Sequence, residues 1–304
     1  MSTKHALKTP LLSILIPIFN YPEGLERIIY GLNLKNVNQY EILVFDNSDN
    51  DSSKKIIDEW KLKSKFNITY TRNTPGIGPV KNWNNLLDAA KGKFSLLIHH
   101  DEFPIGSDFV SQLCDKIEKF PEKDIFILDC ILVDSASGRN KRHVPSFIKS
   151  LLLKCHPVYL YRRNYIGPSA TVVCRTKSYP RFDERLIWFV DTDLYVHIFL
   201  KSRKYMYLPN IKVGSLQGRT DSITAKISSS IKLIKAREIS YLAKTKGFNN
   251  MWLNNDLFSK IVKSLEFVLW GLMRVSTKIF YLVVNYSAVP QPLIFCAIKP
   301  RNKK

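Results

Sequence analysis

The chain has 304 residues, enough for one large domain with an appendage and a sizeable core. Apolar residues make up 45% and charged residues 24%, and the five cysteines form no CxxC pair, which argues against a disordered chain, a disulfide framework and a cysteine-rich zinc site. The net charge of +20 is uneven: residues 201–304 hold 19 Lys+Arg against 4 Asp+Glu, a net of +15, so the basic character belongs to the C-terminal third.

"LLSILIPIF" (11–19) lacks polar alternation and predicts a strand buried on both faces. "GLERIIYGLNL" (24–34) has helical spacing. "YEILVFDNS" (40–48) reads as a second strand that ends in Asp-Asn-Ser turn chemistry. "DSSKKIIDEWKLKS" (51–64) opens on an Asp/Ser cap and reads as helix. "FNITYTRN" (66–73) is a third strand, "PVKNWNNLLDAAKG" (79–92) a helix closed by Gly92, and "KFSLLIHH" (93–100) a fourth strand. Alternating strands and helices imply a mainly parallel α/β sheet, in which ligands gather beyond the carboxyl ends of the strands. "PIFN", "DNSDND" and "HHDEF" all follow strand ends and share that rim. Further on, "DIFILDCILVD" (124–134) is a strand. "IGPSATVVCR" (166–175) is a turn feeding a strand, and residues 182–202 pass from loop to helix near Asp191. Residues 223–247 and 256–286 read as two helices. No internal repeat appears. The first ten residues carry no apolar run of signal-peptide length before the first strand, and with the scattered cysteines they fit a cytoplasmic setting.

The chemistry concentrates at "HHDEF". Asp101 and Glu102 stand where a buried strand meets solvent, so they are hydrated, cap the next helix or bind a cation. Hard oxygen ligands suit Mg²⁺ or Mn²⁺, which commonly bridge to substrate phosphates; the imidazoles His99 and His100 would suit Mn²⁺ better.

"SILIPIFN", "YEILVFDNSDNDSS", "NTPGIGPVKNWNNLLDAAKGKFSLLIHHDEF" and "LIWFVDTDLYVHI" together resemble the successive motifs of family 2 glycosyltransferases of the GT-A fold, over roughly residues 11 to 200. The resemblance implies a Rossmann-like, mainly parallel central sheet flanked by helices. Its catalytic domain would span 1–220, with a nucleotide-binding half at about 11–103 and an acceptor half at about 104–220; 221–304 would be a helical extension. It implies an inverting, metal-dependent transfer from a UDP- or dTDP-type sugar nucleotide to a glycan or lipid-linked acceptor in bacterial surface polysaccharide assembly, with Mn²⁺ or Mg²⁺ as cofactor. By that likeness Pro17, Phe19 and Asn20 flank the nucleotide and Asp46 receives its base or ribose. Arg72, Gly76, Gly78, Asn82 and His100 lie nearby. Asp101 is the metal-binding aspartate, with Glu102 in support and His99 a further ligand. Asp191 is the general base, with Asp193 the alternative. The Gly167-Pro168-Ser169 loop approaches donor sugar or acceptor, and Trp188 either stacks on a sugar face or packs in the core. Two positions depart from the family pattern: His99 replaces the usual first aspartate, and Val190 replaces the acid that commonly precedes the base.

The basic third admits a solvated face, a phosphate-bearing nucleic acid or an anionic membrane surface. On a helical wheel Lys260, Lys263, Arg274 and Lys278 share an arc of ~60°, opposite Ile261, Leu265, Val268, Leu269, Leu272, Ile279 and Val283. A basic stripe on a long apolar helix is what an interfacial membrane helix needs, whereas spanning would put charges in the core at ~2.5–3.5 kcal/mol each. Residues 223–247 add Lys226, Lys232, Lys235, Arg237, Lys244 and Lys246 opposite Ile227, Ile231 and Ile234. The expectation is an anionic membrane surface, met through residues 223–286 at the inner face of the plasma membrane, and no nucleic acid. Competing readings are a degenerate nucleotide-sugar binder, a basic nucleic-acid-binding protein and a sugar-nucleotide pyrophosphorylase. The last needs a Gly-rich, Arg-containing loop after the first strand, where this chain has "PIFNYPEG".

Overall fold

Four apolar runs build the centre of the fold in the computed structural model, which describes residues 9–34, 39–63, 67–144, 149–150, 153–154, 157–220 and 222–246. Every residue of β1 (Leu12–Ile18) is buried, which accounts for its lack of polar alternation. Strands β2 (Tyr40–Asp46), β3 (Ile68–Arg72) and β4 (Phe94–Leu97) run parallel to it in the order β3-β2-β1-β4. Their connections are the helices α1 (Pro22–Leu32), α2 (Ser52–Lys63) and α3 (Pro79–Ala89). Parallel strands need such crossovers. The carboxyl ends of all four strands therefore lie on one edge, as the alternation of elements implied.

Beyond β4 the sheet turns mixed. β8 (Val172–Arg175) pairs antiparallel with both β4 and β6 (Ile125–Asp134). β9 (Tyr205–Gln217) runs parallel to β6, and β5 (Glu102–Ile105) pairs antiparallel with β9 at the far edge. The short β7 (Asn140–Arg142) hangs from β6. Helix α4 (Phe109–Lys119) buries Phe109, Val110, Leu113, Cys114 and Ile117, and helix α5 (Val190–Lys201) carries the second acidic motif. The core joins apolar residues of β1, β2, β4 and β6 to α1 and α4.

Several sequence expectations are refined. The turn feeding a strand expected over 166–175 is a single helical turn at Ser169–Thr171 that leads into Val172–Arg175. β5, β7, β9 and α4 stood outside the predicted elements. β9 was hidden because Pro209 interrupts it and its pairing with β6 shifts register between Leu128 and Asp129. The helix expected over 223–247 is two pieces, α6 (Ile223–Lys226) and α7 (Ile231–Lys246). Helix α7 belongs to the same compact unit as the sheet. The helix expected over 256–286 lies outside the described residues. Among the described residues no helix is long and apolar enough to cross a membrane.

Candidate active site

The loops after β1 and β2 are tied together. Asn20 sits in the left-handed region at φ 48°, and its backbone N–H donates to Ser48 Oγ at 2.8 Å. Its side chain and Asp49 exchange two further bonds, Asn20 Nδ2 to Asp49 Oδ2 at 2.8 Å and the Asp49 N–H to Asn20 Oδ1 at 3.0 Å. Asp46 is fully buried at the end of β2. It accepts from Tyr70 Oη at 2.8 Å and from the Ser48 amide at 2.8 Å. An amide network continues the rim: Asn73 Nδ2 donates to both Asn47 and Asn82, Asn47 Nδ2 to the Gly78 carbonyl, and Asn82 Nδ2 to the Phe45 carbonyl. Arg72 pairs with Asp51 and donates to the Ser48 carbonyl. Gly76 packs on Asn47, and Gly78, at φ 85°, opens helix α3. Pro17 lies inside β1, while Phe19 is exposed beyond its end with Lys226 over its ring at 5.9 Å. Pro17, Asn20, Asp46, Arg72, Gly78 and Asn82 thus lie on or next to the carboxyl ends of β1–β3.

The "HHDEF" segment turns tightly from β4 at His100 and Asp101 and enters β5 at Glu102. Gly24 of α1 lets it approach: a Cβ there would meet the His100 carbonyl oxygen at 2.1 Å. His100 meets the Tyr21 ring edge-on at 5.6 Å. Glu102 is buried and its carboxylate is well supplied with donors. Oε2 accepts from the His99 amide at 2.9 Å and the Ala170 amide at 3.1 Å, and Ser169 Oγ lies 3.3 Å from both oxygens. Burial and the neighbouring Asp101 charge nonetheless push its pKa well above the usual carboxylate range. His99 lies against Trp83, ring centroids 4.5 Å apart, and its Nδ1 is 3.2 Å from Ser169 Oγ. Its Nε2 is buried with no hydrogen-bond partner among the described residues. Desolvation pulls the imidazole down to about 4, so it is neutral at physiological pH. Donor atoms of His99, Asp101 and Glu102 all fall within 4.8 Å of one another, and Asp101 is the more open of the two carboxylates. This cluster fits a Mn²⁺- or Mg²⁺-sized cation reached through Asp101.

The loop named for donor or acceptor reaches the same turn. Gly167, at φ 121°, and Pro168 deliver Ser169 to Glu102, and Asn164 holds the loop by accepting from the Ile166 and Gly167 amides.

Asp191 and Asp193 have opposite environments. Asp193 is buried and fully engaged: Tyr161 Oη donates to Oδ1 at 2.6 Å and Lys246 Nζ bonds Oδ2 at 2.6 Å. Asp191 is half-buried, and its Oδ1 has no hydrogen-bond partner among the described residues. Burial, with the Asp101 charge second, pushes its carboxyl up to about 7. The Asp101 contribution places the two carboxylates in one electrostatic field.

Trp188 is half-buried with Lys235 Nζ over its ring at 4.2 Å. Lys235 and Lys246, expected on a membrane-facing stripe, turn inward because Trp188, Asp183 and Asp193 offer partners on the packed side of α7. Sequence reasoning missed Trp83, Tyr161 and Glu238. The one available signal was for Glu238, a single acid in a helix that otherwise carries only basic charges.

Residues 13–183 match the profile of Glycosyl transferase family 2, and the chain belongs to that family. It is 28% identical over 123 residues to the abequosyltransferase RfbV of Salmonella typhimurium, covering 39% of this chain and 35% of that protein. It is 31% identical over 98 residues to the GalNAc(5)-diNAcBac-PP-undecaprenol beta-1,3-glucosyltransferase of Campylobacter jejuni, covering 31% and 30%. The chain thus spans about a third of the length of these curated relatives. Among solved structures, S. aureus TarS 1-349 in complex with UDP-GlcNAc superposes with a TM-score of 0.57 at 17% identity, over 83% of this chain and 78% of that one. That likeness establishes the GT-A type of fold.

Proposed function

We propose that this protein is an inverting glycosyltransferase that moves a sugar from a UDP- or dTDP-type donor to a glycan or lipid-linked acceptor in surface polysaccharide synthesis. The observation that supports the reading is Asp191: a carboxylate whose Oδ1 has no hydrogen-bond partner among the described residues, in the field of Asp101. The relatives' names describe sugar transfer, one of them onto an undecaprenol-linked glycan, and the structural neighbour binds UDP-GlcNAc.

In this reading the loops at Asn20, Asp46 and Arg72 hold the nucleotide and direct its diphosphate towards Asp101. Glu102, pinned by two backbone amides, fixes the turn that presents Asp101. His99 stays neutral and, wedged between Trp83 and Ser169, keeps the turn in register. A divalent cation at Asp101, when bound, offsets the charge gathering on the diphosphate. Asp191 accepts the proton of the acceptor hydroxyl. The acceptor oxygen then bonds to the anomeric carbon as the carbon–diphosphate bond breaks, and the diphosphate leaves with the electron pair. Attack from the face opposite the leaving group inverts the anomeric centre. A raised carboxyl pKa near 7 suits a base working near neutrality.

The exposed side of α6 and α7 carries Lys226, Lys232, Arg237 and Lys244 with Leu233 protruding at 74% exposure. Next to an anionic leaflet each such charge contributes ~1 kcal/mol. We assign this face to peripheral contact with the inner surface of the plasma membrane, next to lipid-linked acceptors.

Calorimetry with UDP, dTDP and GDP, with and without Mn²⁺, on wild type and Asp101→Ala tests the reading, followed by UDP- or dTDP-release assays on the matching hexose donors. Metal-dependent binding of one nucleotide, lost in the variant, with turnover of its sugar conjugate supports it. Binding without turnover of any donor favours a degenerate binder, and no nucleotide binding removes the transferase reading.

A further inference from the structure

Helix α7 grips the base-bearing segment through one buried acid. Glu238 is 1% exposed, on a helix with an otherwise basic charge pattern. Its Oε1 accepts from the Ile187 amide at 2.7 Å. Its Oε2 accepts from the Trp188 amide at 3.1 Å and the Phe189 amide at 3.0 Å. These three residues immediately precede α5, whose second residue is Asp191. A carboxylate shared by three successive backbone N–H groups is a strong, geometrically specific contact, since charge-assisted bonds are shorter and stronger than neutral ones. It also sits at the end of α5 where negative charge is favoured.

Three further residues of α7, Lys235, Tyr241 and Lys246, reach the stretch from Asp183 to Asp193. Lys246 bonds Asp193 at 2.6 Å and lies 3.5 Å from Asp183. Tyr241 Oη donates to Asp183 Oδ2 at 2.7 Å, and Arg185, paired with Asp183, covers the Tyr241 ring at 4.6 Å. Lys235 covers Trp188. Asp191 itself receives no hydrogen bond to its Oδ1 among the described residues, so nothing at that oxygen aims it. Its direction is inherited from the backbone of residues 187–193, which α7 holds before Asp191 through the three amides on Glu238 and after it through the side chain of Asp193 on Lys246.

We infer that Glu238 is a positioning residue for transfer: it fixes the start of α5 and thereby aims Asp191 at the acceptor hydroxyl, making α7 a working part of the active site. The inference rests on Asp191 being the base. It concerns placement in the reacting complex, where an error of about 1 Å costs about 100-fold in rate. In the proposed reading the nucleotide is held by the β1–β3 loops, none of which Glu238 bonds, so donor affinity is expected to be independent of it.

The test compares wild type, Glu238→Gln, Tyr241→Phe and Asp191→Asn as full chains. Hydrogen–deuterium exchange of the peptide containing residues 187–193 is measured, with kcat and donor KM on the UDP- or dTDP-hexose that wild type turns over fastest. Glu238→Gln keeps one acceptor oxygen but replaces the other with an NH₂, which turns a donor towards at least one of the three backbone N–H groups and removes the charge. It is expected to speed exchange in that peptide and lower kcat at least about 10-fold, with KM unchanged within about 3-fold. Tyr241→Phe removes one hydroxyl without changing shape and is expected to do the same more weakly; it decides the matter if Glu238→Gln does not fold. Unchanged exchange, or faster exchange with kcat within about 2-fold of wild type, overturns the inference. So does a fall in kcat matched by an equal fall in nucleotide-binding capacity, which marks a loss of folded protein only. Full activity in Asp191→Asn removes the base itself. An inactive Asp191→Asn beside a fully active Glu238→Gln leaves the base reading intact and removes only the role of Glu238.

Discussion

Lys246 Nζ stands 2.6 Å from Asp193 Oδ2, while Tyr161 donates to the other oxygen of the same carboxylate at 2.6 Å. The pair is largely buried, with 17% and 4% side-chain exposure. Asp193 is therefore committed to structure, and Asp191, two residues away, is not. Asp193→Asn is expected to lose about 1–3 kcal/mol of stability, because it removes the shorter of the two ion pairs of Lys246, leaving only Asp183 at 3.5 Å, and weakens the acceptor of Tyr161. Asp191→Asn is expected to lower transfer by about 10²–10⁴-fold with nucleotide binding retained. Thermal melts and initial rates on both variants separate the roles. A crossed result, with Asp193→Asn stable but inactive and Asp191→Asn active, assigns the base to Asp193.

The burial of Asp191 has a signature in stability. Its folded carboxyl titrates at about 7, above its ordinary value of 3.8. Between those values the folded state holds the proton that the unfolded state has released. The contribution is present in full below pH ~4 and is lost as pH rises through 7. With EDTA present, so that no cation offsets the charge, Asp191→Asn is expected to melt at a higher temperature than wild type at pH 8, with the difference falling to about a quarter of that at pH 4.5. A difference in melting temperature that does not change with pH would mean that the charged form is not penalised.

The parallel half of the sheet was legible because β1, β2 and β4 are buried along nearly their whole length and the strands alternate with helices, a pattern set by local sequence. The rim followed from topology alone: "PIFN", "DNSDND" and "HHDEF" had to meet. The roles of the two aspartates were not legible, since "VDTD" offers two carboxylates two residues apart on one helix. Only the distant Tyr161 and Lys246 distinguish them. For the same reason the charge pattern of residues 223–247 set Lys235 and Lys246 among the basic residues expected to face a membrane. Such a pattern shows charge but not the acids and rings that a packed neighbour supplies. β9 escaped because its pairing slips at Asp129 and its burial pattern is irregular.

His99 stands where the family pattern has an aspartate, so His99→Asp returns the usual residue to an altered setting. The new carboxylate would face Glu102, whose Oε1 lies 3.6 Å from His99 Nδ1, and would lose the ring contact with Trp83. Two like charges in a buried site disfavour each other. The metal-free variant at pH 8 is expected to lose roughly 2 kcal/mol, within the range for burying an uncompensated polar group. Mn²⁺ is expected to restore a larger share of melting temperature to the variant than it adds to wild type, because a cation that binds only the folded state stabilises it by mass action. Equal responses to Mn²⁺ would mean that position 99 does not sense the cation.

Helix α1 offers a matched pair of glycines that tests how the turn is held. Each Gly→Ala change gains about 1 kcal/mol of helix propensity. At Gly24 the new Cβ would lie 2.1 Å from the His100 carbonyl oxygen and 2.5 Å from the Tyr21 ring. At Gly31 it would lie 3.1 Å from Pro104, a contact that a small shift relieves. Gly24→Ala is expected to cost about 1–3 kcal/mol net and to displace the turn that presents Asp101. Its Mn²⁺-dependent nucleotide affinity should fall about 10-fold or more, the scale of a 1.4 kcal/mol loss. Gly31→Ala should leave that affinity unchanged within about 2-fold, since β5 can move by a few tenths of an ångström without carrying Asp101 with it. Calorimetric titration of the two variants with UDP or dTDP and Mn²⁺ decides this. Equal affinities would show that the turn is held by Glu102 and its amides alone, with no contribution from its contact with α1.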